Sequence, residues 1–384
     1  MRVIFALGFR PFFLLAGWLA ILLMAFWVAV FISGFAFDTY YGQIDWHSHE
    51  MIFGYTVAVI AGFLLTAVRN WTNMPTSAGM PLAGMAALWL LARILPFCFT
   101  IFPGWLIAAA DLAFLPTLAI GIGVPLMRND EKRNLVFLLL LTILWAADLL
   151  VHADVLGVAP NLARKGTLLG LDVIILVIVI MGGRVIPFFT ERALSGVVLK
   201  RWRIIEWLSP VSVILFLVAE LIAPDSVVSA SFAALAACAN GARLAGWYTP
   251  RYWHVPLLWV LHLGYGWIVV GFCLKAAIAL GFIPPQFTIH AFTVGGIGVL
   301  TLGMMARVSL GHTGRPLKVG AALTSAFVLM NLAAVIRGLL PPFFPQIFSQ
   351  LIVASGAFWI AAFAIFIMVY TPILTQPRVD GRPG

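Results

Sequence analysis

The sequence predicts an all-α, polytopic membrane protein of about twelve transmembrane helices. Three observations predict it. The chain is 63% hydrophobic and 10% charged with mean hydropathy +1.07, whereas a globular domain carries about 25% charged residues. That supply cannot make a water-facing surface. Apolar runs of about 18 residues or more, each long enough to span a bilayer, recur along the whole chain. The basic residues fall in alternate connections between those runs.

The runs lie at residues 12–34, 51–68, 80–96, 104–126, 134–157, 166–190, 204–222, 226–247, 255–280, 289–311, 319–340 and 346–371. The first comes after Arg2 and Arg10 and could imitate a signal peptide. It is about 23 residues long with no obvious small-residue cleavage site, so it reads as a retained helix. The second opens on WHSHE (46–50), the fifth closes on Asp148 and His152, and the tenth opens on His290. The connections are short, so the expectation is a single transmembrane domain over 1–384. Cys98, Cys238 and Cys273 all fall inside runs, show no pairing pattern and read as small packing residues.

Net charge is +9, but its placement speaks for topology rather than nucleic acid. One set of alternate connections holds Arg2, Arg10, Arg69, Arg128, Lys132, Arg133, Arg192, Lys200, Arg201, Arg203, Arg251, Arg315, Lys318, Arg378 and Arg382. The other holds Arg164 and Lys165. The positive-inside rule then places both termini in the cytoplasm. No phosphate-binding glycine loop, nucleophile elbow, HExxH or paired CxxC occurs, which leaves ATP-driven transport and soluble hydrolase chemistry without support.

A faint internal echo runs through the helix ends GFLLTAVRNWT (62–72), MGGRVIPFFT (181–190) and GMMARVSLGHTG (303–314), each with an arginine near its cytoplasmic end: Arg69, Arg184 and Arg307. A repeat of four helices taken three times is one reading, and it resembles the arcs of the haem–copper oxidase catalytic subunit. Independent anchoring of each arginine at the interface is the other.

Ionisable groups at membrane depth are costly and mark function. His47, His49 and Glu50 open the second run at the outer face. Asp111 lies in the outer third of the fourth run. Asp148 and His152 sit one turn apart on the same side of the fifth, and Asp172 lies early in the sixth. His290 opens the tenth. Histidines and carboxylates therefore converge on the outer third, where imidazoles suit a metal or haem centre. His47 and His49 are two apart and diverge by about 200° on a helix, so they share one ion only if the chain there is extended, as Ser48 acting as N-cap would make it. Headgroup-belt placement is the alternative for any one of these residues. Toward the cytoplasm lie His262 between Trp259 and Tyr265, Arg184, Arg307 and His312; the arginines suit cofactor carboxylates or lipid headgroups. Embedded Arg93, Arg243, Lys275, Arg337 and Glu220 suggest ion or proton paths with no assignable order.

FALGFRPFFLLAG (5–17), WHSHEMIFGY (46–55), AGFLLTAVRNWT (61–72), GGRVIPFFT (182–190), LLWVLHLGY (257–265) and HAFTVGGIGVLTLGMMARVSLGHTGRP (290–316) strongly resemble the NnrS family through nearly the whole chain. The resemblance implies a protein of the bacterial inner membrane, containing haem b and copper and acting in the nitric oxide response and denitrification. It carries over to His47, His49, Glu50, His262, His290 and His312; His152 and His254 fall outside its motifs. The expectation is a haem–copper oxidoreductase that reduces nitric oxide to nitrous oxide with electrons from membrane quinol. His47, His49 and His290 would hold one metal. His262, with His312, Arg184 and Arg307, would bind haem. Glu50, Asp148 and Asp172 would relay protons. The rival expectations are a non-catalytic haem or copper protein that senses or buffers nitric oxide, and a copper or haem transporter.

Overall fold

The computed structural model describes residues 3–130, 132–278, 281, 283–284 and 287–382. Arg2, counted above among the basic loop residues, and 279–280, the end of the predicted ninth run, lie outside the described residues. Every regular element among the described residues is helical, as a bilayer requires of a backbone that must satisfy its own hydrogen bonds. Among the described residues twelve spans are long and apolar enough to cross a membrane: α1 Phe9–Ser33, α2 Gln43–Thr72, α3 Met80–Cys98, α4 Gly104–Arg128, α5 Lys132–Val155, α6 Ala163–Ala193, α7 Arg203–Ile222, α8 Val227–Gly246, α9 Pro256–Ile278, α10 Ala291–His312, α11 Ala321–Gly338 and α12 Pro345–Thr375.

Each span coincides with a predicted run, and the largest difference lies at the start of α2. There the helix begins at Gln43, behind Gly42, whose φ of 79° suits glycine. Ser48 is therefore a residue of helix interior and not an N-cap, because Gly42 already breaks the chain a turn and a half earlier. The helix Gln43–His49 runs into a π-helical stretch, Glu50–Thr56, before the regular Val57–Thr72. A second π-helical stretch, Ala291–Val299, opens α10. Such stretches insert a residue per turn and rotate the remainder of the helix, and they cluster at functional sites.

The chain packs as two compact units. The first comprises Met1–Leu171, Met305–Leu317 and Phe366–Gly384. In it α1 lies along α2, where Gly62 lets the backbone approach Phe12 and Phe13. Arg10 is fully buried and donates from Nη1 to the carbonyls of Leu374 and Gln376, 2.8 Å each, tying the start of α1 to the end of α12. Arg378 donates to the His312 carbonyl at 2.7 Å, and its side chain pairs with Asp380. The second unit comprises Asp172–Met304 and Lys318–Ile365. There α8 packs between α7 and α9, and the π-helical start of α10 packs against α9 and α11. Arg243 pairs with Glu206 and donates to the Val179 carbonyl at 2.8 Å. Lys275 bridges Glu220 at 2.5 Å and Asp225 at 3.1 Å.

The close approach at Gly62 gives a direct stability prediction. A Cβ there would sit 2.8 Å from the Phe13 ring and 3.1 Å from the Phe12 Cβ. Gly62→Val should cost about 1–3 kcal/mol through overpacking, read as a lower melting temperature in detergent. Gly84→Ala, with no heavy atom within 4 Å of the added methyl, should not lower the melting temperature.

Candidate metal centre

Four helices of the first unit bring ionisable side chains to one buried point. From α2 come His49 and Glu50, from α3 Arg93, from α4 Asp111, and from α5 Asp148 and His152, all nearly or fully inaccessible. Asp148 and His152 share a face of α5 because they are four residues apart. Arg93 reaches the group past Gly54, where a Cβ would lie 2.8 Å from Nη1 and 2.7 Å from Glu50 Oε2. Only glycine leaves that passage open.

His49 Nε2 lies 2.9 Å from Asp148 Oδ1 and 3.3 Å from Asp111 Oδ2. His152 Nε2 lies 3.6 Å from the same Asp111 oxygen and 3.7 Å from the same Asp148 oxygen. Each of the four residues offers one ligand atom, and those atoms all lie within 4.8 Å of one another. Donors bound at about 2.1 Å around a tetrahedral ion stand about 3.4 Å apart. The set therefore has the dimensions of a first coordination sphere with two imidazoles and two carboxylates.

The groups behind it complete the frame. His49 Nδ1 faces Glu50 Oε1 at 3.5 Å, and His152 Nδ1 is 3.2 Å from the Tyr40 hydroxyl. With each Nδ1–H directed at those oxygens, both Nε2 lone pairs face the common point, which is how metal-bound imidazoles are oriented. No hydrogen bond reaches His152 Nε2, although the residue is 1% exposed. Arg93 donates to Glu50 Oε2 at 3.1 Å and, through Nη2, to Asp111 Oδ1, leaving each carboxylate its other oxygen for the histidine side. Tyr41 stacks on the His49 ring at 4.2 Å and donates to Asp111 Oδ2 at 2.9 Å. Burial first, and then the Asp111 and Asp148 carboxylates, push the Tyr40 and Tyr41 phenols up from their ordinary value, so both keep their protons.

Formal charge fits the same conclusion. Glu50, Asp111 and Asp148 bring three negative charges and Arg93 one positive. With neutral imidazoles the excess of two negative charges is matched by one divalent cation, and an unmatched buried charge is strongly disfavoured.

The predicted site residues divide between the units. His49, Glu50 and Asp148 meet in this group. His47 does not join them: the chain there is helical rather than extended, and its ring stacks on Trp27 at 4.3 Å. The route by which His47 and His49 would share an ion is thereby removed. Arg307 and His312 belong to the first unit, where His312 packs on Phe9 and approaches the Asn70 amide at 3.4 Å. Asp172, Arg184, His262 and His290 belong to the second. His262 is 3% exposed, directs Nδ1 to the Leu258 carbonyl at 2.9 Å and stacks on Tyr252 at 4.1 Å. Its Nε2 is buried without a hydrogen bond, the state of an imidazole prepared to ligate iron. Tyr40 and Tyr41 carried no signal in the sequence beyond standing just before Gly42. Asp111 and His152 were legible in the sequence among the outer-third groups, whereas Arg93 was visible only as an embedded charge.

The family model described as NnrS protein matches residues 3–378. The chain belongs to the NnrS family. Membership fits a membrane protein of the nitric oxide response, and the family is associated with haem and copper. No individually curated protein matches the chain. Both associated metals can be tested against the residues. Two imidazoles with two carboxylates suit copper(II), and also iron or zinc, while the absence of thiolate and thioether from the group disfavours copper(I). The orphaned Nε2 of His262 suits a haem iron.

Metal content of the purified protein checks the centre. His152→Ala should abolish binding at this point, and Glu50→Gln should weaken it about 10–100-fold by releasing His49. His47→Ala should retain the ion.

Proposed function

We propose that this chain is a haem–copper oxidoreductase of the bacterial inner membrane that removes nitric oxide, with both termini cytoplasmic. Two nitric oxide molecules, two electrons and two protons give nitrous oxide and water. The observation that carries the proposal is the pair of imidazoles, His49 and His152, aimed with Asp111 and Asp148 at one buried point of excess negative charge. Those four would hold copper, and His262 would hold haem. When bound, such metals supply a site for nitric oxide and the electrons for its reduction.

The protein's own groups do the rest. Glu50 Oε1 stands 3.5 Å from His49 Nδ1 and steadies the ring. Tyr40 does the same for His152. Arg93 holds Glu50 and Asp111 in place without touching the histidines. Tyr41 and Phe53 cover the His49 ring and exclude bulk water. Asp148 therefore acts as a ligand in this scheme rather than as a proton relay. Glu50 and, in the second unit, Asp172 are the expected relay carboxylates that this scheme leaves for proton transfer. A membrane quinol is the electron donor that suits a chain carrying no CxxCH haem attachment motif.

Turnover decides between this reading and a protein that only binds the gas. Purified protein with excess reduced quinol should consume nitric oxide over many cycles and release one nitrous oxide per two nitric oxide. Consumption that halts after one equivalent per metal would contradict it.

A further inference from the structure

One constant offset in residue number carries α2 onto α10. It places His49 on His290, Gly54 on Gly295, Gly62 on Gly303 and Thr72 on Thr313. The structure agrees in two independent respects. Both π-helical stretches begin on the residue after the histidine, Glu50 and Ala291. Both helices end in a left-handed residue at the same offset, Asn73 with φ 53° and Gly314 with φ 73°. Thr72 and Thr313 each turn a hydroxyl back to the carbonyl four residues earlier, at 2.8 and 2.7 Å.

A looser correspondence, without the constant offset, continues into the next two helices. Arg93 is the penultimate residue of the α-helix Met80–Ile94, and Arg337 is the penultimate residue of Ala321–Gly338. RILPF (93–97) and RGLLPPF (337–343) close these helices, and then FP at 102–103 and 344–345 leads into α4 and α12.

The two stretches differ in their acids. Glu50 corresponds to Ala291, and α12 contains no Asp or Glu to stand for Asp111. Among the described residues no carboxylate pairs with Arg337: its guanidinium carbon sits 5.5 Å from the Phe348 ring, and Nη1 is buried without a hydrogen bond. Gly338 lies on the Ala291 backbone, where a Cβ would approach the Ala291 nitrogen to 3.2 Å, so Arg337 stands beside the start of α10. The start of α10 and the end of the antiparallel α11 meet at one end of their spans. Phe343, Phe344 and Ile347 beside them are exposed apolar side chains.

We infer that α2–α4 and α10–α12 are two copies of one three-helix element, and that the second copy binds an anionic phospholipid, whose phosphate takes on Arg337 the part Glu50 takes on Arg93. The copy that kept its acids pairs its arginine internally; the copy that lost them requires the acid from outside. The phosphate satisfies the guanidinium, and the acyl chains cover Phe343, Phe344 and Ile347. This inference does not depend on the metal reading.

Native mass spectrometry of delipidated protein titrated with phosphatidylglycerol tests it. The unaltered chain should retain one lipid, and Arg337→Met should weaken that binding about tenfold or more, the effect of deleting one charge-assisted hydrogen bond. Ala291→Glu should weaken it similarly by supplying an internal partner. Equal retention by Arg337→Met overturns the site. Undiminished retention by a folded Ala291→Glu protein overturns the correspondence with Glu50, and competition by inorganic phosphate at equal concentration overturns the lipid. Should Ala291→Glu fail to fold, Arg337→Met alone decides.

Discussion

Arg93 holds Glu50 through Nη1 and Asp111 through Nη2, and each carboxylate turns its second oxygen toward the histidine side. The arrangement of α2, α3 and α4 around the candidate centre depends on that bridge. A guanidinium inside a bilayer span is costly unless it is paired, and here the pairing leaves the molecule a buried excess of carboxylate. The histidines and the ion they are placed to receive are the counterpart of that excess. Gly54 makes the bridge sterically possible, and the π-helical stretch that begins at Glu50 sets the face on which His49 and Glu50 emerge.

The same physics explains why the site is closed by residues from outside the spans. Tyr40 and Tyr41 lie in the connection between α1 and α2, and each phenol meets one imidazole. A polar point of this depth needs donors that tolerate burial without ionising, and a phenol whose proton is held by neighbouring carboxylates meets that need. The aromatic rings also remove water from the histidine faces, which strengthens every electrostatic contact in the group.

Hydropathy sufficed to place all twelve spans, because lipid allows few alternatives to a long apolar helix. It also placed Asp111, Asp148, His152, His49 and Glu50 at one depth. Rotation about each helix axis lay beyond its reach. Ser48 offered a plausible cap, yet Gly42 started the helix earlier, and a continuous helix turned His47 onto Trp27. A π-helical residue insertion leaves no periodic trace in a run that is apolar on every side. Arg93 read as one embedded charge among several, since its partners lie 43 and 18 residues away. The echo seen in the arginines at helix ends pointed to repetition, but the register that relates α2 to α10 is carried by histidine, glycine and cap positions instead.

The proposed function requires the buried group of α2, α4 and α5 to be a coordination sphere rather than a network of ion pairs. X-ray absorption at the metal edge, on protein isolated gently from its own membrane, tests this most directly. A coordination sphere predicts a first shell of nitrogen and oxygen at about 2.0–2.2 Å with the outer-shell scattering of two imidazoles and no sulfur. Protein that carries no metal, or a metal whose first shell contains sulfur at about 2.3 Å, would contradict it.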